Sequence, residues 1–330
     1  MNYFWNEKAE LSKQVDSFFE YLAKVNDTRF DGQLTIVLLG SMSRGEATWT
    51  YEKGKFQIIS DLEFFTIYPS SFSNNKAFEA EIQNGKNLFF VDQDSILFHI
   101  DNTFICLEDI PKLPRKVITY DTKNMGKVVV GNKQIIDLFP SVSLENINRE
   151  DIWDIMVHRL FYVLYYGDAL KQSKQLHEYR YTIAKNALDL MTVILASHNI
   201  INTGFNAKLE SIKELNLSKE YKDFFSYCLD IKFNNSAKSE YEISQMEEIF
   251  IKIIYYCQLH FKVGLANRVS NIRFILKRRL GIIKRMISCR QITFGRKHFL
   301  KKLINVYNTD RKLSKSMIKE SFVLNSYPKL

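Results

Sequence analysis

The run LTIVLLG, residues 34–40, constrains the fold more than any other segment. It is short, almost wholly apolar, and rich in leucine and β-branched residues. A run of this kind suits a strand buried on both faces at the centre of a sheet. Gly40 and Ser41 close it, and Ser41 to Ala47 read as the opening of a helix. A glycine at that point lets the backbone approach a ligand closely. A helix start offers unbonded N–H groups and a positive dipole end to a phosphate. Ser41 adds a hydroxyl donor. Alone, Gly-Ser after a strand is a common sequence and a weak signal.

The neighbouring segments supply a frame for that strand. Residues 6–25 carry Leu11, Val15, Phe18, Phe19 and Leu22 at helical spacing, and Asn26-Asp27 and Asp31-Gly32 punctuate a turn. Thr48 to Gln57 reads as a loop or hairpin. Residues 58–69 read as a second strand ended by Pro69, residues 73–86 as a helix, and residues 95–109 as a third strand. This order indicates a mixed sheet flanked by helices. After about residue 148 the texture changes. Segments 149–166, 174–199, 219–231, 240–262 and 266–288 read as helices with no convincing strand between them. The expected fold is α+β: a small mixed β-sheet domain over residues 1–145, then an all-helical domain over 146–330. No internal repeat or low-complexity segment interrupts it.

Asp61-Leu62-Glu63 stands at the start of the second strand. Strand alternation places Asp61 and Glu63 on one face, a few ångström apart, and Leu62 on the other. Two carboxylates so close repel unless a cation lies between them. Mg²⁺ accepts carboxylate oxygens together with water and substrate phosphates. An exposed strand end with two solvated charges is the ordinary alternative. Against it, Ile58-Ile59 and Phe64-Phe65 set the pair in apolar surroundings.

Strand, Gly-Ser, helix, then a strand with Asp-x-Glu resembles the DNA polymerase β-type nucleotidyltransferase superfamily. LLGSMSRGE (38–46) and SDLEFF (60–65) carry the resemblance. It implies a nucleotidyltransferase domain in which Gly40 and Ser41 hold the triphosphate of an NTP donor. It implies that Asp61 and Glu63 bind two Mg²⁺ ions, with Mn²⁺ as a substitute. A third carboxylate on a later strand completes such a site and can deprotonate the acceptor. Asp101, in FHIDNTF, is the choice here because it lies in an alternating strand, and Asp92, Asp94 and Glu108 compete for the role. The resemblance also implies a helical-domain lysine bracing the triphosphate across a cleft between the domains, a part that Lys185 fits by position. The gap from Ser41 to Asp61 is longer than the pattern shows, so TWTYEKGKF must be accommodated as an insertion.

Arg44 lies one turn into the helix after Ser41. It can meet phosphate bidentately or pair with Glu46 at the surface. Residues 113–132 look like a segment of bacterial nucleotidyltransferase-domain proteins. There Lys123, Gly126 and Lys127 are candidates to face the nucleotide, against a solvated loop leading to a short strand. Residues 177–196 read as an amphipathic helix with Ile183, Ala187, Leu190 and Ile194 inward, and Lys185 and Arg180 on its outer side. The six histidines show no metal-ligand spacing, and none is assigned.

The formal net charge is +9, and no Asp or Glu occurs between Glu248 and Asp310. Within that span, residues 266–288 read as a basic amphipathic helix. Val269, Ile272, Leu276, Leu280, Ile283 and Ile287 form its stripe. Residues 266–302 could pack on the helical domain, rest on an anionic membrane surface, or hold a polyanion such as RNA or an anionic glycan. No signal peptide or transmembrane run is visible, and Cys106, Cys228, Cys257 and Cys289 lie far apart. A cytoplasmic location, with peripheral membrane contact as an option, is the expectation.

The expected activity is transfer of an NMP from an NTP to an unidentified acceptor with release of pyrophosphate. A glycan intermediate, small molecule, protein or nucleic acid could accept it. Two alternatives stand beside this reading. One is a cyclic-oligonucleotide synthase of bacterial defence. The other is a catalytically inactive nucleotide-binding module tethered by its basic helix.

Overall fold

A computed structural model describes residues 1–266, apart from residues 53, 144, 148, 173–175 and 235–239. The basic helix expected at 266–288, the polyanion or membrane surface at 266–302, and Cys289 lie outside the described residues, save for Ala266. The protein has an α+β fold, with a small mixed sheet in its first half and helices after it.

The chain opens with α1 (Ala9–Arg29), whose Leu11, Val15, Phe18, Phe19 and Leu22 are buried. Asn26 does not start a turn, and the helix runs on to Arg29. The Asn26 side chain is buried and pairs both ways with the backbone of Leu34. Its Nδ2 donates to the carbonyl at 3.0 Å, and its Oδ1 accepts from the N–H at 3.0 Å. A side chain spent on a distant segment cannot turn its own chain. Instead it pins the end of α1 to the start of β1 (Thr35–Leu38).

β1 is buried along its whole length. Ile36 and Leu38 enter one apolar cluster, with α1 and α3 (Asn75–Phe89). Val37 enters a second cluster on the opposite face, with Phe65, Ile67 and Ile135. The strand buries both faces, as its apolar run demands. It also stands inside the sheet, with β4 (Leu62–Tyr68) on one side and β6 (Lys127–Val130) on the other. Both neighbours run antiparallel to it. β5 (Ile100–Cys106) forms the far edge and runs parallel to β4.

TWTYEKGKF is accommodated as a hairpin of β2 (Trp49–Glu52) and β3 (Lys55–Ile58), a separate two-stranded sheet. Lys55 Nζ donates to Asp92 at 2.6 Å, Gln57 Oε1 accepts from the Asp94 N–H at 2.7 Å, and Gln93 Oε1 accepts from the Ile58 N–H at 2.6 Å across the same junction. The third strand is shorter than expected, because a 3-10 turn replaces it from Leu107 to Lys112. Residues 113–132 do lead to a short strand, β6, but not through a loop alone: α4 (Val117–Met125) occupies their centre.

Two compact units divide the chain. The first spans Met1–Asn148 and reclaims Thr203–Ala207 and a stretch beginning at Lys232. The second is helical, with α5 (Arg149–Gln172), α6 (Leu176–Ser197), α7 (Phe205–Glu214), α8 (Lys219–Asn234) and α9 (Ile243–Ala266). α6 is not amphipathic in its setting. Ile183, Ala184, Ala187, Leu188, Met191 and Leu195 are all buried, and these residues cover more than one face. It is the helix around which α5 and α9 pack. Among the described residues, no helix is long and apolar enough to cross a membrane.

Candidate active site

Strand direction brings four chain segments to one end of the sheet. β1 ends where β4 begins, because the two are antiparallel, and Leu39 N–H donates to Glu63 O at 2.8 Å. β5 is parallel to β4, so it begins at this same end. β6 begins there too, with Lys127 in register with Leu38. Gly40-Ser41, Asp61-Leu62-Glu63, and the start of β5 are therefore neighbours.

The register then arranges the side chains. Leu62 is paired with Ile100, and Glu63 with Asp101. The ladder continues one residue further back through Leu62 N–H to His99 O at 2.9 Å. Asp61 and Glu63 occupy one face of β4, and His99 and Asp101 the matching face of β5. His99 Nδ1 lies 3.5 Å from Asp61 Oδ1, and His99 Nε2 lies 3.2 Å from Asp101 Oδ2. The imidazole thus links a carboxylate from each strand.

Glu63 turns toward the Gly-Ser turn. A methyl group placed on Gly40 would overlap its Oε2. Gly40 has φ of +63°, in the left-handed region, so it is a position for glycine on two counts. The turn leads into α2 (Gly40–Arg44), a five-residue helix closed by Gly45 in the left-handed conformation.

Arg44 is nearly buried and committed within the first unit. Its Nε donates to Glu46 Oε2 at 2.6 Å, and its Nη1 lies 3.9 Å from Asp121. The buried Glu46 also accepts from the Phe205 backbone N–H at 2.8 Å. Both Arg44 and Lys232 lie over the Phe205 ring, at 5.6 Å and 5.2 Å. Thr48 ties this group to the carboxylate strand. Its N–H donates to Ser60 Oγ at 2.9 Å, and its hydroxyl donates to Lys232 O at 2.9 Å. The returning segments near 205 and 232 brace the turn and the residue before Asp61.

Other candidates fall elsewhere. Glu108 sits past the far end of β5, roughly 20 Å along the strand from Asp101. It accepts from Cys106 Sγ and from the Ser70 hydroxyl, and these bonds hold its carboxyl down at about 2. Asp92 is exposed and paired with Lys55, and Asp94 is beside it at the hairpin junction. Lys123 Nζ donates to the carbonyls of Ile136 and Asp137 at 3.0 Å and 2.9 Å, closing a 3-10 turn. Gly126 packs tightly against Thr122 O and Val37. Lys185 belongs to the second unit, half-buried on α6.

His99, beside Asp61 and Asp101, is a neighbour of the carboxylates that residue spacing did not single out. His99-Ile100-Asp101 repeats the polar–apolar–polar alternation of Asp61-Leu62-Glu63, and that repetition was the available signal. Three carboxylates on adjacent strands are the donor chemistry of a hard cation. Among the described residues, no three His, Cys, Asp or Glu side chains already converge as a finished metal centre. His99 lies between two of these carboxylates, Asp61 and Asp101. The set fits a divalent cation by chemistry and by shared face.

No protein-family model and no curated protein matches the chain. Among solved structures, it is similar to spectinomycin adenyltransferase AAD(9) from Enterococcus faecialis, with ATP and spectinomycin. Identity is 12%, the TM-score is 0.48, and the match covers 76% of this chain and 99% of that one. A likeness so distant carries no functional argument, which must come from the carboxylate face.

Proposed function

We propose that the protein is a nucleotidyltransferase that moves an NMP from an NTP to an acceptor hydroxyl and releases pyrophosphate. The observation that carries this reading is the Asp61–Glu63–Asp101 face set directly against the Gly40-Ser41 turn. Phosphate-binding N–H groups and cation-binding carboxylates are the two components such a transfer needs side by side. The resemblance of LLGSMSRGE and SDLEFF to the polymerase β-type transferases points the same way.

In this reading Gly40 and Ser41 hold the β and γ phosphates, the missing Cβ allowing close approach. Asp61 and Glu63, with Asp101, would hold two Mg²⁺ or Mn²⁺ ions. Those ions would neutralise phosphate charge and align the acceptor and leaving oxygens. Asp101, at the exposed edge, takes the acceptor proton as the acceptor oxygen bonds to the α-phosphorus. The bond from that phosphorus to the bridging oxygen breaks, and pyrophosphate departs with the electron pair. Arg44 holds Glu46 and so fixes the end of α2 behind the turn.

The test is pyrophosphate release from ATP, GTP, CTP and UTP by the full chain with Mg²⁺ or Mn²⁺. An Asp61→Ala/Glu63→Ala variant is the control, and cell extract supplies acceptors. Release lost in the variant supports the transferase. Metal-dependent NTP binding without release under every condition would replace it with the nucleotide-binding module.

A further inference from the structure

The two edges of the four-stranded sheet are built differently. β6 has four residues and opens on Lys127, and shortness and lysine both guard an edge against pairing. β5 has seven residues, IDNTFIC, with no proline or lysine, and it pairs with β4 without a register shift. Among the described residues, β4 is its one strand partner. A parallel ladder bonds alternate residues of a strand to its neighbour. Leu62 N–H donates to His99 O, which fixes the alternation: Asp101, Thr103 and Ile105 bond inward to β4. Ile100, Asn102 and Phe104 therefore turn their N–H and C=O groups outward along the edge. Such a row takes a polypeptide backbone, whose donors and acceptors have the matching spacing. A glycan or a nucleic acid has no such ladder.

Asp101 stands at the start of this edge, exposed, on the same face as Glu63. Its backbone is committed to β4, so a strand added antiparallel to β5 meets Asp101 as a pair without mutual hydrogen bonds. In such pairs the Cα atoms stand about 4.5 Å apart and the side chains are closest. Paired side chains also share a face. A hydroxyl on the residue opposite Asp101 therefore lies beside its carboxylate.

We propose that the outer edge of β5 docks an extended protein segment as an added antiparallel strand, and that the acceptor is the Ser, Thr or Tyr hydroxyl of the residue opposite Asp101. The inference rests on the transferase reading and names its substrate class. The hydroxyl oxygen bonds to the α-phosphorus as its proton passes to Asp101. The bond to the bridging oxygen breaks, and pyrophosphate leaves with the electron pair. A second copy of this chain is the rival occupant. Seven residues are far fewer than the roughly 20–30 a side of a stable interface, so the edge suits a transient substrate contact.

The experiment gives the full chain NTPs radiolabelled at the α-phosphate, Mg²⁺ or Mn²⁺, and positional-scanning synthetic peptides with a central Ser, Thr or Tyr. The expected result is label on peptide. A backbone N-methyl scan of the best peptide then reads the ladder. Methylation of either residue flanking the acceptor should lower kcat/KM by about ten-fold or more, because those amides donate to β5. Methylation of the acceptor residue itself, whose amide points away from β5, should cost about two-fold at most. This scan needs no variant of the protein. Asn102→Pro removes an outward N–H at an edge position where proline is tolerated. It should raise KM for the peptide about ten-fold over Asn102→Ala, with equal NTP affinity in the two. The same two variants are compared on the protein fraction of a cell extract. A scan without the alternation, or equal labelling by the two variants, would overturn the docking. Label confined to the nucleic-acid, glycan or small-molecule fraction would overturn the protein acceptor and leave the transferase standing. A dimer that Asn102→Pro dissociates, with peptides and proteins unlabelled, would give the edge to a second copy. No label and no pyrophosphate release with any fraction would overturn both readings.

Discussion

The two strands that carry the site differ in how they are held. β4 lies inside the sheet with partners on both sides, and Asp61 at its start is 17% exposed. β5 is the edge, and Asp101 at its start is 59% exposed. The same end of the sheet therefore offers a partly desolvated carboxylate and a solvated one. Charges act most strongly where water is excluded and most exchangeably where water is present. The interior strand is suited to holding a cation, and the edge strand to exchanging a proton with an arriving acceptor.

This division makes Asp61 the position of largest effect. Under the proposed function, Asp61→Asn should lower pyrophosphate release by about a thousand-fold or more, since several kcal/mol of charge stabilisation would depend on the ions Asp61 would hold. Steady-state rates with the preferred NTP would show it. A loss of only a few-fold would break the assignment of the interior strand as the anchor. Asp101→Asn should cost about a hundred-fold in kcat with little change in KM for NTP, the magnitude typical of a lost general base. A rise in KM for NTP instead would place Asp101 with the phosphate-holding groups and erase the contrast between the strands.

Gly40 tests how closely the interior strand and the Gly-Ser turn are fitted. In Gly40→Ala the new methyl meets Glu63 Oε2, and the residue keeps a left-handed φ. The backbone strain should lower stability by about 1 kcal/mol. The carboxylate must also move, because it is the flexible partner in the overlap. Activity should fall by about ten-fold, beyond what unfolding explains. Chemical denaturation alongside kinetics separates the two parts. A variant that loses stability but keeps full activity would show that Glu63 has no fixed place beside the turn.

The interior strands were legible in the sequence because both faces are buried. LTIVLLG and LEFFTIY have no polar side to confuse their period, and Gly40, Asp61 and Glu63 follow from them. The edge was harder. β5 mixes half-exposed residues, so its end at Cys106 was missed and His99 went unassigned, while Asp101 was chosen for its place in an alternating strand. α4 was missed because VITYDTKNM contains β-branched and polar residues of low helix propensity. Local bonds support it in place, including Thr119 Oγ1 to Pro114 O at 2.7 Å and Thr122 Oγ1 to Ile118 O at 2.7 Å. α7 is only ten residues long and offers few turns from which to read a period. The return of residues near 205 and 232 to the first unit is long-range, and no local pattern encodes it.

The smallest effect should come from the opposite end of the edge strand, where Glu108 competes in sequence with Asp101. Its carboxyl is held low by the Cys106 thiol first, and by its own and the Ser70 hydrogen bonds. The same contact with Glu108 pushes the Cys106 thiol up. Glu108→Gln removes the charge but leaves an acceptor, so the thiol should ionise at lower pH. Iodoacetamide should then modify Cys106 faster near pH 8, because the thiolate is the reactive form. Peptide mass spectrometry would read this at Cys106 alone. Pyrophosphate release should stay within about two-fold of wild type, the range expected of a surface change far from the chemistry. Release falling together with a faster thiol would mean that the far end of β5 takes part in the reaction. In that case Asp101 would lose its claim to be the third carboxylate.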